Sequence, residues 1–355
     1  MVMFIHRCRR LERDVPILLD DCAVMKTFPK YLFCKVNFCT LSACLTLLTC
    51  TLAHAAYPER PVRVIIPFPP GGGTDLVGRI IAGVLTERLG VPFVSDNRVG
   101  AGGAIGAEIA AKAAPDGHTL LVGTPGSMTI NPALMPNLAY DPLRDFEPVT
   151  RATTSHMVMV VRKDLPVKSV KDVIALAKAK AGAMNIGSSG VGSTSHLGGE
   201  LFKIMAGVQM TNVPYKGTAP AVVDLVGGRI DVLIENLPVL SPFIKRGDIR
   251  LLAVGGPARA RSLPEVPTIA ESGLPGYEST TWLGLFAPAK TPRAIVTQLH
   301  AAVASAMRAP AMTEKLASMG YESTADDTPE QLRVYLTARL NEMKGVVKAV
   351  GLKGQ

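Results

Sequence analysis

Residues 62–75 read VRVIIPFPPGGGTD: β-branched and aliphatic residues, a proline-stiffened corner, three consecutive glycines, then a polar pair where a helical pattern begins. Val62–Phe68 predicts a strand, and Leu76–Leu89 predicts a helix. Phe93–Asp96 then predicts a strand, Ala104–Ala113 a helix and Thr119–Gly123 a strand. Strands and helices alternating at that spacing imply parallel strands with helical crossovers, so the opening segment is α/β.

The pattern pauses at residues 131–146, whose Pro, Asn and Asp content suits a surface connection better than an element. Val149–Val161 is β-prone again and predicts a strand leaving the first lobe. A second α/β series follows, with helices at Val170–Ala179, Ser195–Ala206, Ala219–Val226 and Val239–Lys245. Its strands are Met184–Ser188, Gln209–Val213, Ile230–Ile234 and Arg250–Val254. Pro264–Gly276 predicts a short helix among prolines and glycines, and Glu278–Phe286 a strand leading back. Helices at Ala294–Met307, Ala311–Met319 and Pro329–Val350 close the chain. The expected architecture is a hinged clamshell: residues 56–154 with 280–355 form one lobe, residues 155–279 the other, and two crossing strands join them.

Composition agrees with a folded chain of this size. The sequence has 355 residues, 48% hydrophobic and 19% charged, where a disordered chain would carry more charge and fewer aliphatics. All six cysteines, from Cys8 to Cys50, fall within the first 50 residues. Lys26, Lys30 and Lys35 precede an uncharged run, 36–52, that ends in Ala53-His54-Ala55, the order of a secretory signal peptide. Cleavage after Ala55 and a periplasmic location are therefore expected. Acidic residues at Glu12, Asp14, Asp20 and Asp21 make Met25 an alternative start, and Leu41-Ser42-Ala43-Cys44 offers a competing lipid-anchor signal. The remaining 300 residues carry a net +6 and no cysteine, which excludes disulfides and Cys-ligated zinc. Their basic residues are dispersed, without the clustering that nucleic acid requires.

Ligands in open parallel sheets sit beyond the C-terminal ends of strands, so the loops there carry the functional reading. Pro67–Asp75 brings glycine backbone to a helix start that Thr74 is expected to cap, leaving amides able to face an anion. Gly187–His196 offers Ser188, Ser189, Ser193 and Thr194, with Ser193 or Thr194 the expected cap. Pro214–Thr218 contributes Tyr215, Lys216 and Gly217, with Thr218 as cap. Thr124 and Ser127 after the third strand, and Glu235 and Asn236 after the strand from Ile230, complete the candidate lining. Each loop also has a plain reading as a capped turn, Lys216 as a solvated lysine and His196 as a packed histidine.

Catalytic patterns are absent. Gly187-Ser188-Ser189-Gly190-Val191 lacks the final glycine of a nucleophile elbow, neither glycine-rich loop fits a dinucleotide or phosphate motif, and the histidines beyond the leader lack metal-ligand spacing. Asp75 and Glu235 could face each other as an acid and base pair, and Ser189 with His196 would be the groups of an exported hydrolase. No enzyme activity and no cofactor are expected.

At these residues the chain resembles the extracytoplasmic solute receptors of tripartite tricarboxylate transporters, the Bug family. The matching stretches include PFPPGGGTD at 67–75, NRVGAGGAIG at 97–106, AAPDGHTLLVG at 113–123, residues 187–197, VPYKG at 213–217 and residues 263–277. The resemblance implies a type II-like periplasmic binding protein that closes over a small carboxylated solute and hands it to a membrane permease as a monomer. A periplasmic sensor kinase is the alternative partner. It also implies ligand contacts from Phe68, Gly72, Thr74, Thr124, Ser127, Ser188, Ser189, Ser193, Thr194, Tyr215, Lys216, Gly217 and Asn236. The residue before Asn236 is often Asp in such proteins and is Glu here.

Overall fold

The first strand, β1 (Val62–Ile66), lies between β2 (Phe93–Asn97) and β3 (Thr119–Gly123), parallel to both. This is the arrangement in the computed structural model, which describes residues 57–324 and 327–350. The leader, its cleavage site and its cysteines lie outside the described residues. Helix α1 (Gly73–Leu89) follows β1, and α2 (Ala104–Ala111) follows β2.

The chain then enters β4 (Phe146–Arg162), a strand of 17 residues. Its first part pairs antiparallel with β9 (Thr280–Pro288), which also pairs with β3. From Met157 onward β4 pairs instead with β7 (Val232–Asn236) and β8 (Ile249–Val254). Beyond β7 lie β5 (Asn185–Ser188) and β6 (Thr211–Pro214), both parallel to their neighbours. The strand order is β2-β1-β3-β9-β4-β7-β5-β6, so β4 belongs to both halves.

Both faces of each half are covered, which explains why the strands read as near-continuous apolar runs. Val62, Val64 and Ile66 pack with Leu85 of α1 and Leu299 of α8 (Arg293–Met307) on one face. Ile65 and Leu121 pack with Ala107 of α2 and Leu336 of α10 (Pro329–Val350) on the other. Along β4 the alternation continues: Met157, Met159 and Val161 join Phe202, while Val158 and Val160 join Leu225 and Leu240. Each such aliphatic, fully buried, contributes about 1.5–3 kcal/mol relative to exposure.

The two crossings between the halves differ. One is β4 itself. The other is made outside any strand, where Gly255 N donates to Met157 O at 2.7 Å and Ser279 N donates to Gly255 O at 2.6 Å. An ideal Cβ at Gly255 would stand 2.8 Å from Ser279 O, so this tether admits only glycine without movement.

Several local expectations change. Residues 126–130 form a buried π-helical turn and α3 (Asn131–Leu134) follows, with Asn131 and Leu134 buried. The supposed surface connection is therefore anchored at its start, where Asn131 Nδ2 donates to Ala101 O at 2.9 Å and to Gly102 O at 3.2 Å. Pro264–Gly276 forms turns, not a helix. A short strand that the composition did not announce, β10 (Tyr321–Ser323), pairs with β4 at Thr153–Ser155. No helix among the described residues is long and apolar enough to cross a membrane.

Candidate functional site

Four strands end at one place, and a helix starts just beyond each. They are α1, α5 (Thr194–Ala206), α6 (Thr218–Val226) and α7 (Leu237–Arg246); the first residues of α1, α5 and α6, and Asn236 just before α7, line a single cavity of about 640 Å³, its mouth included. Three of these starts have no side-chain cap: Gly72 before α1, Gly217 before α6 and Asn236 before α7. Thr74 and Thr218, expected as caps, are instead helical residues in the cavity wall. Only Ser193 caps with its side chain, its Oγ accepting from His196 N at 3.1 Å. Uncapped helix starts present unsatisfied N–H groups and a partial positive charge to whatever fills the cavity.

Asp75, in the first turn of α1, leaves the helix start uncapped and instead ties down the loop ahead of it. Its Oδ2 accepts from Gly71 N at 3.0 Å and Arg79 Nε at 2.9 Å, and its Oδ1 from Asn97 Nδ2 at 2.9 Å. Asn97 Nδ2 also donates to Phe68 O at 2.8 Å, tying the loop to β2. Burial pushes the Asp75 carboxyl up, but Arg79, Asn97 and the Gly71 amide together hold it below the ordinary aspartate value. Asp75 is thus a loop anchor and lies outside the cavity wall.

The cavity brings together Phe68, Gly72, Thr74, Thr124, Ser189, Ser193, Thr194, Gly217 and Asn236 of the predicted set. Tyr215 and Lys216 line an adjoining recess that shares Phe68, Ser189 and Gly217 with the cavity. Tyr215 Oη donates to Asp224 Oδ2 at 2.7 Å, and burial with that bond pushes its phenol up to about 12. Ser127 and Ser188 sit behind the wall: Ser127 braces the turn at Thr124, and Ser188 Oγ donates to Asn212 Oδ1 at 3.0 Å. His196 turns to its own loop, its Nδ1 accepting from Gly192 N at 3.4 Å.

Several lining residues escaped the sequence reading. Met157 and Leu283 supply apolar wall, while Ser195, Thr281 and Gly73 supply polar edge and backbone. Gly73 is the tightest point. An ideal Cβ there would stand 2.6 Å from Tyr321 Oη and 2.8 Å from Asn236 Nδ2, so α1 begins in contact with both β10 and β7. Opposite, a Cβ at Gly217 would stand 2.7 Å from Pro69 Cγ, bringing the two rims close at the mouth. Only the glycine-rich loops themselves hinted at such approaches.

Glu235 is the only ionisable side chain in the wall, and neither Lys nor Arg is present there. It is 6% exposed, its Oε1 accepts from Asn236 N at 2.8 Å, and burial pushes its carboxyl above the ordinary glutamate value. The two carboxyls considered as an acid and base pair therefore serve different surroundings. No group of three His, Cys, Asp or Glu side chains among the described residues is placed to hold a metal ion.

Comparison with known proteins gives consistent matches. The profile of the tripartite tricarboxylate transporter family receptors matches residues 77–352. Protein BugT of Bordetella pertussis is 37% identical over 298 residues, covering 84% of this chain and 91% of BugT. Among solved structures, an R. palustris protein with adipate is 41% identical with a TM-score of 0.81, covering 84% of this chain and 99% of its own. MatC from Rhodopseudomonas palustris with bound malate is 34% identical with a TM-score of 0.78, covering 82% of this chain and 100% of MatC.

Proposed function

This chain belongs to the tripartite tricarboxylate transporter receptor family, a family of periplasmic binding proteins, and we propose that it captures a small dicarboxylate at the four helix starts and presents it to a membrane permease. The observation that carries this reading is a cavity with three uncapped helix N-termini and no cationic side chain. A partly buried helix start favours an anion by about 1–2 kcal/mol, so the three uncapped starts supply on the order of 3–6 kcal/mol, a range that brackets millimolar affinity. Thr74, Ser189, Ser193, Thr194 and Asn236 would add hydroxyl and amide contacts, and Phe68, Met157 and Leu283 would cover the solute's methylenes. Adipate and malate, held by the two R. palustris relatives, have the size and chemistry that such a lining suits.

Closure would move residues 56–154 with 280–355 against residues 155–279, bending at β4 and at the Gly255 tether. The closed form, in which Pro69 meets Gly217, would be what the permease recognises. Export to the periplasm through the leader belongs to the same proposal.

Titration calorimetry against mono-, di- and tricarboxylates, amino acids and neutral sugars tests it. Binding of at least one C4–C6 dicarboxylate with no binding of sugars is expected. Firm binding of a neutral sugar, with every carboxylate failing, would overturn the substrate class.

A further inference from the structure

Glu235 poses a problem for any anion in this cavity. An ionised carboxylate in the wall would repel a carboxylate guest, and no lining side chain supplies a compensating cation. Its Oε1 is committed to the Asn236 amide, while Oε2 is buried without a hydrogen-bond partner. The hydroxyls of Ser189, Thr218 and Ser195 stand beside the carboxyl, yet none closes a bond to Oε2. Ser195 Oγ is already committed to Ile234 O at 2.6 Å.

The ionisable groups on surrounding elements do not relieve it. On β10, Tyr321 Oη accepts from Asn236 Nδ2 at 3.5 Å; on α1, Asp75 is held by Arg79 and Asn97. On α5, His196 faces Gly192 and Glu200 pairs with Lys203 at 2.8 Å; on β4, His156 is half-buried. Near the end of α6 Asp224 is held by Tyr215 and Arg229, and in the loop before that helix Lys216 is exposed in the neighbouring recess. A buried anion left without a partner is strongly disfavoured, whereas a neutral acid lacks only an acceptor for its one hydrogen.

We infer that Glu235 is a specificity-determining residue that holds a proton on Oε2 and donates it to a carboxylate oxygen of the bound solute, so that capture takes up a proton. The inference rests on the carboxylate reading above. The bond formed is Oε2–H···O⁻ to the solute, a charge-assisted contact stronger than one between neutral groups, and the proton comes from solvent whenever free Glu235 is ionised. Burial that raises the Glu235 carboxyl acts in the same direction, and by linkage the bound carboxylate raises it further.

The test is calorimetric binding of adipate and of malate between pH 6 and pH 9, each in phosphate and in Tris, with wild type, E235Q and E235A. Two buffers of different ionisation enthalpy report protons taken up on binding. Wild-type affinity should fall by about tenfold per pH unit once free Glu235 ionises, with uptake approaching one proton per solute. E235Q keeps a donor but cannot titrate, so it should bind at least tenfold tighter than E235A, with flat affinity and no proton uptake. Wild-type affinity that stays flat from pH 6 to pH 9, or E235A binding as well as E235Q, would overturn the inference and leave the receptor reading intact. Failure of wild type to bind either acid at pH 6 would remove both. A pH slope that persists in E235Q would assign the titration to another group and would also overturn it.

Discussion

Two buried carboxyls stand at this cleft and are treated oppositely. Asp75 receives a backbone amide, a guanidinium and a carboxamide, and is stabilised as an anion that fixes the Phe68–Thr74 loop before any solute arrives. Glu235 receives one amide, has the hydroxyls of Ser189, Thr218 and Ser195 beside it, and keeps one buried oxygen without a hydrogen-bond partner. In sequence both are acidic residues at the end of a loop or strand. What separates them is the supply of donors around each, so charge alone does not identify a binding group. The shifts also have opposite signs. Asp75 is held low, so it contributes stability above its ordinary value of 3.8 that is lost as pH falls through its folded value. Glu235 is held high, so the stability it contributes is present below its ordinary value of 4.5 and lost as pH rises through its folded value.

Breaking the Asp75 side of this comparison should have the largest effect. Asp75→Ala leaves Arg79 and the Gly71 amide unpaired; because Arg79 is half exposed, the cost is about 2 kcal/mol rather than the full value for a buried pair, read by urea denaturation at pH 7. E235Q, in contrast, should be more stable than wild type at pH 8, with the gap closing as pH approaches 4.5. Thermal melts across that range will show either convergence or parallel curves, and parallel curves would mean that Glu235 does not titrate in the folded protein. Next in size, Gly73→Ala should weaken dicarboxylate binding about tenfold by displacing Tyr321 or Asn236, whereas Gly72→Ala, whose Cβ would meet Pro69 O at 3.6 Å, should change it far less. Ser193→Ala removes the side-chain cap at the start of α5 and should cost about 1 kcal/mol of stability. Smallest of all, Lys216→Ala should weaken binding less than about threefold at 0.15 M salt, since an exposed charge in the outer recess is screened.

The alternating strand and helix pattern made most elements legible, because apolar runs between glycine-rich turns constrain both the type and the order of elements. Ser193 was legible as one of two cap candidates for the same local reason, and the structure selects it over Thr194. Thr74 and Thr218 were misread because capping depends on which residue leaves the helical conformation. Extended Gly72 did so one residue before the helix, and Asp75 then satisfied the loop from within. Asn131 was misread as surface because its composition is polar, whereas its carboxamide is buried against the 101–102 backbone. Tyr321 was beyond reach, since its place at the cavity depends on a distant strand pairing with β4.

That pairing has a bearing on how the protein matures. Gly73 comes early in the described chain and Tyr321 near its end, yet their contact shapes one corner of the binding chamber. A chain with only its first helices in place could fold β1 and α1, but it would have no finished chamber until β10 had been added and docked. Solute therefore cannot assist the early stages of folding, and only a receptor assembled almost to its last helix is competent to compete for cargo.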